Sequence, residues 1–366
     1  MSATWEQRVR RAAASSRVIN LGGGLPSAVQ FPRAALASSF FRVLGVSDGF
    51  ALQYGWAEGQ ESLRALVARR LIARGARVTA DDVIITNGAQ DAISIATQLL
   101  LRRGQSIGVE ATTYPAALDL FRERGLRPVS LGQGRACYVM TSLNNPAGTA
   151  LDAEVRASLL ARGVPIIEDD AYGDLTFDGK TAPLLLSAAP GRTYHVGTFS
   201  KTLCPGLRVG WLVVPRAYRK RAVTIKEAND LQANSLAQAV VSDYLRHADF
   251  EQRLDVLRRF YRRRAALMAR AVRRELPSWR FRFPDGGFCL WIDTDARVSE
   301  RRFSELALEE GASFDAGSAF TASPAQGPTR LRLCFSLAAP ETFERGVKRL
   351  ARAWARATRA ARHVRR

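Results

Sequence analysis

Along the first two thirds of the chain, short apolar runs alternate with longer stretches whose apolar positions recur at helical spacing. Asp82–Thr86 (DVIIT) is one such run; it ends in Asn87-Gly88, and Gln90–Leu101 then places Ile93, Ala96, Leu99 and Leu100 on one helical face. Ser106–Glu110, Arg135–Thr141, Val164–Glu168, Tyr194–Thr198 and Val209–Val214 are further runs bounded by Gly, Pro or Asn. Helical patterns lie between several of them, for example Asp152–Arg162 with Asp152 as N-cap. Strands that alternate with helices predict a mostly parallel, helix-covered sheet, in which ligands collect at the carboxyl ends of the strands.

The rhythm changes near Ser235. Leu236–Glu275 reads as one long helix, and Trp279–Phe283 and Gly287–Asp293 read as paired strands around a Pro-Asp-Gly-Gly turn. A helix over Ser299–Glu310, a strand over Thr329–Ser336 and a closing helix from Glu341 complete an α+β piece. The junction falls at about Ala233–Arg259, and no internal repeat or low-complexity linker interrupts the chain.

Composition sharpens this picture. A length of 366 residues fits about two domains. Hydrophobic content of 47% with 24% charged residues is the balance of a folded globular chain, and no apolar run approaches the ~18–20 residues of a membrane-spanning helix. The first twenty residues lack the apolar core of a secretory signal and read as a short leading helix. The four cysteines (Cys137, Cys204, Cys289, Cys334) form no CxxC pair and there are three histidines, which argues against a zinc site or a disulfide scaffold and places the protein in a reducing cytoplasm.

A net charge of +20 raises the question of a nucleic-acid partner. Lysine occurs only at positions 180, 201, 220, 226 and 348, so nearly all of the positive charge is arginine. Its densest runs, Arg258–Arg264 and Arg352–Arg366, carry Leu, Val, Ala or aromatic residues at intervals, which is the pattern of solvated helix faces.

The segment Val196–Trp211, VGTFSKTLCPGLRVGW, holds the clearest chemistry. A lysine follows a β-run directly, small hydroxyl residues bracket it, and Pro-Gly and Arg208 come next. A P-loop competes for GTFSKT but lacks the second glycine before the lysine. The pattern suits a lysine held for Schiff-base chemistry, with hydroxyls and an arginine around a single phosphate. Lysine is nucleophilic only when neutral, and a partly desolvated, cationic pocket favours that form.

On these residues the chain resembles the class I/II aminotransferases, fold-type I pyridoxal-phosphate enzymes, and within them the 2-aminoadipate/kynurenine aminotransferase-like branch that also forms the catalytic half of MocR-type regulators. Thr198-Phe199-Ser200-Lys201 through Trp211 resembles SFSKTLxPGLRxGW. The resemblance implies a large domain with a mostly parallel mixed sheet, a smaller α+β domain and pyridoxal 5'-phosphate bound covalently to Lys201, with Thr198, Ser200 and Arg208 on its phosphate. Other segments follow in the family's order. Asn87-Gly88-Ala89-Gln90 is similar to its NGxQ loop and gives Ala89 and Gln90 as phosphate ligands at a helix start. Glu110–Pro115 (EATTYP) resembles ExPxYP, whose tyrosine, Tyr114 here, stacks on the pyridine ring. Asn144–Gly148 resembles NPxG, which assigns Asn145 to the cofactor's phenolic oxygen. Glu168–Tyr172 resembles EDDxY, with Asp169 on the pyridine nitrogen and Tyr172 on the phenolic oxygen; taken without the resemblance, three acids at a strand end could also hold Mg²⁺. Tyr54, in LQYGWAEGQESLR, matches a tyrosine that reaches the phosphate of the neighbouring subunit, which implies a homodimer. Arg332, in RLCFS, matches the arginine that clamps the substrate α-carboxylate, although Arg330 stands on the same strand face. Leu21–Pro26 with Phe31-Pro32 is similar to the GGLPxxxxFP segment over the substrate, with Gly24 against it.

The match runs from about residue 17 to 352. The stretch between Pro128 and Tyr138 is shorter than in relatives, and Thr141–Leu143 lacks the proline that precedes NPxG. With the enzyme-like region beginning almost at Met1, no winged-helix domain is expected. The resemblance implies an N-terminal segment (1–45), a large cofactor-binding domain (46–245) and a C-terminal small domain (246–366). The activity expected is amino transfer from an L-amino acid to a 2-oxo acid by a ping-pong route, with Lys201, Asp169 and Tyr172 catalytic and no metal. Another pyridoxal-phosphate reaction, such as a lyase, racemase or cyclising step, is the near alternative. A DNA-binding relic of the fold is the distant one, and neither a membrane nor a nucleic-acid partner is expected.

Overall fold

The computed structural model describes residues 17–45, 49–323 and 327–363. The leading helix expected before Arg17 lies outside these residues; Ile19–Asn20 forms a strand, β1, and Arg33–Gly45 and Glu61–Ala73 form α1 and α2. The central sheet then grows from β2 (Val83–Thr86), β3 (Ser106–Val109), β4 (Arg127–Ser130), β5 (Ala136–Met140), β6 (Ile166–Asp169), β7 (Thr193–Thr198) and β8 (Gly210–Val213). Between its strands run α3 (Ala89–Leu100), α4 (Pro115–Glu123), α5 (Ala153–Arg162) and the short α6 (Leu185–Ala188). The strand order is β2-β8-β7-β6-β5-β3-β4, and only β8 runs against its neighbours.

Alternation along the strands decides which layer each side chain joins. In β2, Ile84 packs in the cluster that contains Ile93 and Ala96 of α3, whereas Val83 and Ile85 pack with Leu63, Val67 and Leu71 of α2. Both faces are covered, so the inner strands are buried along their whole length and read as continuous apolar runs. Asp152 caps α5 as its sequence suggests, accepting from Glu154 N at 2.8 Å.

After β8 come α7 (Arg219–Asp230), α8 (Ser235–His247), α9 (Phe250–Glu275), β9 (Cys289–Asp293), α10 (Glu300–Glu309), β10 (Ala312–Ser313), β11 (Asp315–Ala316), β12 (Arg330–Cys334) and α11 (Phe343–His363). β11, β12 and β9 form an antiparallel sheet, and β1 pairs in parallel with β10. Two expectations need correction. The single helix expected over Leu236–Glu275 is two, because Ala248 is extended and Asp249 starts a new helix, accepting from Gln252 N at 2.9 Å. The strand expected over Trp279–Phe283 reduces to one bridge, Arg280 to Asp293, in a short segment between Pro277 and Pro284, neither of which can donate to a ladder that would extend it.

Candidate active site

The carboxyl ends of β2, β5, β6 and β7 open on one edge of the central sheet. Because β8 runs the other way, Arg208 just before it arrives at the same edge. The sequence-predicted residues Ala89, Gln90, Tyr114, Asn145, Asp169, Tyr172, Thr198, Ser200, Lys201 and Arg208 line one cavity there.

One end of the cavity is built to hold an anion. Gly88 caps α3 with φ +85°, and a Cβ at that position would lie 2.5 Å from Arg208 Nη2, so only glycine lets the guanidinium close over the helix start. Arg208, itself at φ +54°, donates to Asn87 O at 2.8 Å. Opposite it, Thr198 Oγ1 donates to Val209 O (3.0 Å), accepts from Ser200 N (3.1 Å) and sits 2.9 Å from Ser200 Oγ. Backbone N–H groups at a helix N-terminus, two hydroxyls and a guanidinium together are the donors that suit a phosphate.

The other end carries a carboxylate. Asp169, the last residue of β6, is buried and accepts from the Tyr138 hydroxyl at 2.6 Å and from Ala171 N at 3.0 Å. Burial raises its carboxyl pKa in spite of these donors. Between the two ends stands half-buried Lys201, its Nζ 5.3 Å from the centroid of the Tyr172 ring. Burial, then the Arg332 and Arg208 guanidiniums, draw its pKa down to about 8, against the opposing pull of Asp169. Burial also pushes the Tyr172 hydroxyl well above its ordinary value. Tyr138 escaped the sequence reading because every side chain of β5 is buried, so no alternation marks the one that turns to the site.

Arg332 lies at the seam between the two sheets and is 1% exposed. Its Nε and Nη2 donate to Asp315 Oδ2 at 2.9 and 2.7 Å, its Nη1 donates to Asn145 Oδ1 at 2.6 Å, and it stacks 4.7 Å over Phe320. Gly24 (φ +54°) presents its backbone to this guanidinium, for a Cβ there would lie 3.3 Å from Nη1. Arg330, equal to Arg332 by spacing, pairs instead with Asp293 at 2.7 Å. Asp315 was not foreseen; it lies on a two-residue strand too short to carry a pattern. Tyr54 does not join the site within this chain: it is 77% exposed, next to exposed Leu52 and Trp56.

The sequence matches the family model for aminotransferase class I and II over residues 130–350. The chain belongs to that family. This aminotransferase is 33% identical to the 2-aminoadipate transaminase of Thermus thermophilus, over 92% of its own length and 90% of the relative's. Its fold matches the crystal structure of LysN, the α-aminoadipate aminotransferase of the same organism complexed with N-(5'-phosphopyridoxyl)-L-leucine, with a TM-score of 0.88 at 30% identity, covering 98% of this chain and 96% of that one. It is also 28% identical to an uncharacterized HTH-type transcriptional regulator of Bacillus subtilis, over 90% of this chain and 72% of the regulator. The aminotransferase uses pyridoxal 5'-phosphate, and the residues fit it. The Gly88 cradle and Arg208 suit the phosphate, the buried Asp169 carboxylate suits a protonated ring nitrogen, and Lys201 lies between them.

Proposed function

We propose that this aminotransferase moves the amino group of an α-carboxylated L-amino acid to a 2-oxo acid in two half-reactions, with Lys201 as cofactor anchor and proton carrier. The observation that carries this reading is a cavity that sets the Lys201 amine, its pKa near 8, between the Arg208 end and the Asp169 carboxylate, with the Arg332 guanidinium near enough to act on it. Pyridoxal phosphate, when bound, supplies an electron sink for the charge left as the α-proton departs. The Lys201 amine would take that proton at Nζ and return it on the other side of the reaction; a pKa near the working pH suits both directions. Asp169, held by the Tyr138 hydroxyl, keeps a proton on the ring nitrogen. Of the other residues that line the cavity, Asn145 and Tyr172 would take the phenolic oxygen, Tyr114 the ring, and Thr198, Ser200, Arg208 and the backbone of Ala89 and Gln90 the phosphate. Arg332 binds the α-carboxylate through its Nη edge with Gly24 beside it, and its planar fork fixes the substrate's orientation.

The same reading divides the chain into a cofactor-binding unit (46–245) and a small unit (246–366) that the first 45 residues join. It also makes the enzyme a cytoplasmic homodimer. The exposed Phe50, Leu52, Tyr54 and Trp56 support an interface that carries Tyr54 into the partner's site. The relatives' named substrate makes 2-aminoadipate the first donor to test.

The test is the visible spectrum of the purified protein, titrated with a panel of amino acids. A yellow band that one amino acid bleaches and a 2-oxo acid restores supports transamination. Ammonia released without consumption of a 2-oxo acid overturns it in favour of a lyase.

A further inference from the structure

Cys289 opens β9 and Cys334 closes β12, and the antiparallel register sets them directly opposite each other. Both are buried, and their sulfurs lie 2.9 Å apart. Directly opposed residues of an antiparallel pair have Cα atoms about 4.5–5.5 Å apart, within the span an S–S bond bridges, and the sulfurs need to close by less than about 1 Å to reach ~2.05 Å. The backbone is therefore already in place for a bond. The two stand 45 positions apart in the sequence, so no motif announces the pair, and transamination as derived above uses neither sulfur.

The pair is wired into the substrate clamp. Cys334 Sγ accepts the Gly24 N–H at 3.1 Å, and Cys334 N donates to Leu21 O at 2.6 Å. Strand β12 thus holds the loop that covers Arg332. On the other side, Cys289 is close enough to Lys201 and Tyr172 for its charge to act on both, although it is buried and stands behind the residues that line the active-site cavity. The two thiols are unequal. Burial opposes ionisation of both and holds Cys334 well above the ordinary thiol range, but the hydrogen bond from Cys334 and the Arg332 guanidinium bring Cys289 below it. Cys334 Sγ is also engaged by the Gly24 N–H, which leaves Cys289 the better placed of the two to attack.

We propose that Cys289 and Cys334 form a reversible oxidation site, which a hydroperoxide closes to a disulfide and which, once closed, loosens the loop over Arg332. The Cys289 thiolate attacks a peroxide oxygen; an S–O bond forms, the O–O bond breaks, and the departing oxygen leaves as water after taking a proton. Cys334 then attacks the Cys289 sulfur and gives up its own proton; the S–S bond forms, the S–O bond breaks, and the second oxygen leaves as water. Two thiols lose two electrons and two protons, and hydrogen peroxide becomes two waters. The sulfur that remains at Cys334 is a weaker acceptor for Gly24 N–H, so the cover over the carboxylate clamp loses one tie.

The loosening rests on the clamp reading of Arg332, whereas the bond itself does not. The test uses cofactor-loaded enzyme carrying Cys137→Ser and Cys204→Ser, which leaves this pair as the chain's remaining thiols. After hydrogen peroxide, the intact mass should fall by two hydrogens, the thiols titratable in denaturant should fall from two to none, and dithiothreitol should restore both values. A saturating 2-oxo acid should slow the reaction. The oxidised enzyme should show KM for the amino donor raised about fivefold, the worth of one hydrogen bond, with kcat little changed. Cys289→Ser, or Cys334→Ser if the first does not fold, should be insensitive. A mass gain of one or two oxygens, or two thiols surviving, overturns the site. A disulfide that leaves KM unmoved overturns the loosening. A disulfide in an enzyme that transaminates no amino acid overturns the proposed function and leaves the oxidation site standing.

Discussion

At the Arg332 end of the site the fold supplies the counterion itself, whereas at the Lys201 end it withholds one. Asp315 Oδ2 takes two hydrogen bonds from Arg332 and one from Gly23 N (2.9 Å), all buried. Asp169, buried just as deeply, accepts from a tyrosine hydroxyl and a backbone N–H, and among the described residues neither it nor Lys201 has an ion-pair partner. The difference extends to the pKa shifts: Asp315 keeps Arg332 charged against the cost of its burial, while burial drives Asp169 up and Lys201 down. A clamp that only binds can be built complete. On the proposed reading, a wall that would meet a charged ring nitrogen and a reactive carbonyl keeps its own charges in reserve.

This contrast breaks most readily at Lys201. Lys201→Ala should lower transamination by about 10⁴-fold through loss of the proton carrier, with the α-carboxylate grip retained as an unchanged inhibition constant for a 2-oxo acid. Full activity in that variant would end the mechanism. Asp315→Ala should cost about 3–5 kcal/mol in urea denaturation, since it strands a buried guanidinium. Asp169→Asn in cofactor-free protein should not lower stability, because a carboxyl whose folded pKa is raised is a burden to the fold above that pKa. Equal losses in the two variants would erase the comparison. Tyr138→Phe should lower kcat about tenfold with KM unmoved, as one hydrogen bond to a charged group is removed from the wall and none from the clamp. The smallest effect tests how the two ends communicate. Covalent capture of pyridoxal phosphate by cofactor-free enzyme should quicken as pH rises and level off above about 8, where the Lys201 amine is neutral. In Arg332→Gln the midpoint should move upward, because one of the cations that lowers it is gone; an unmoved midpoint would make the ends independent.

The wall, Tyr138 apart, was legible in contiguous motifs, whereas the clamp's Gly24, Asn145 and Arg332 were named only through the resemblance and Asp315 was missed, for a physical reason. Wall residues follow strands of one sheet within a few positions of their ends, so Asn145, Asp169 and Lys201 sit in contiguous motifs. The clamp is assembled from Gly24, Asn145, Asp315 and Arg332, which only tertiary packing brings together, and spacing alone left Arg330 and Arg332 equal. Asp315 and the facing cysteines are products of strand register, which no local pattern encodes. The break at Ala248-Asp249 was missed because apolar positions continue on both sides of it, at Leu245, Phe250 and Leu254, and periodicity does not register a single extended residue.

The pairing of β1 with β10 also sets an order of assembly. Gly23 must meet Asp315, 292 positions later, and at about 5–20 residues per second a ribosome takes roughly 15–60 s to make the intervening chain. The central sheet is complete in sequence at Val213, so the wall can close while the clamp's last strand is still being translated. Leu21 and the glycines beside it meanwhile lack their partners, so the loop over Arg332 can close only after β12 has been made.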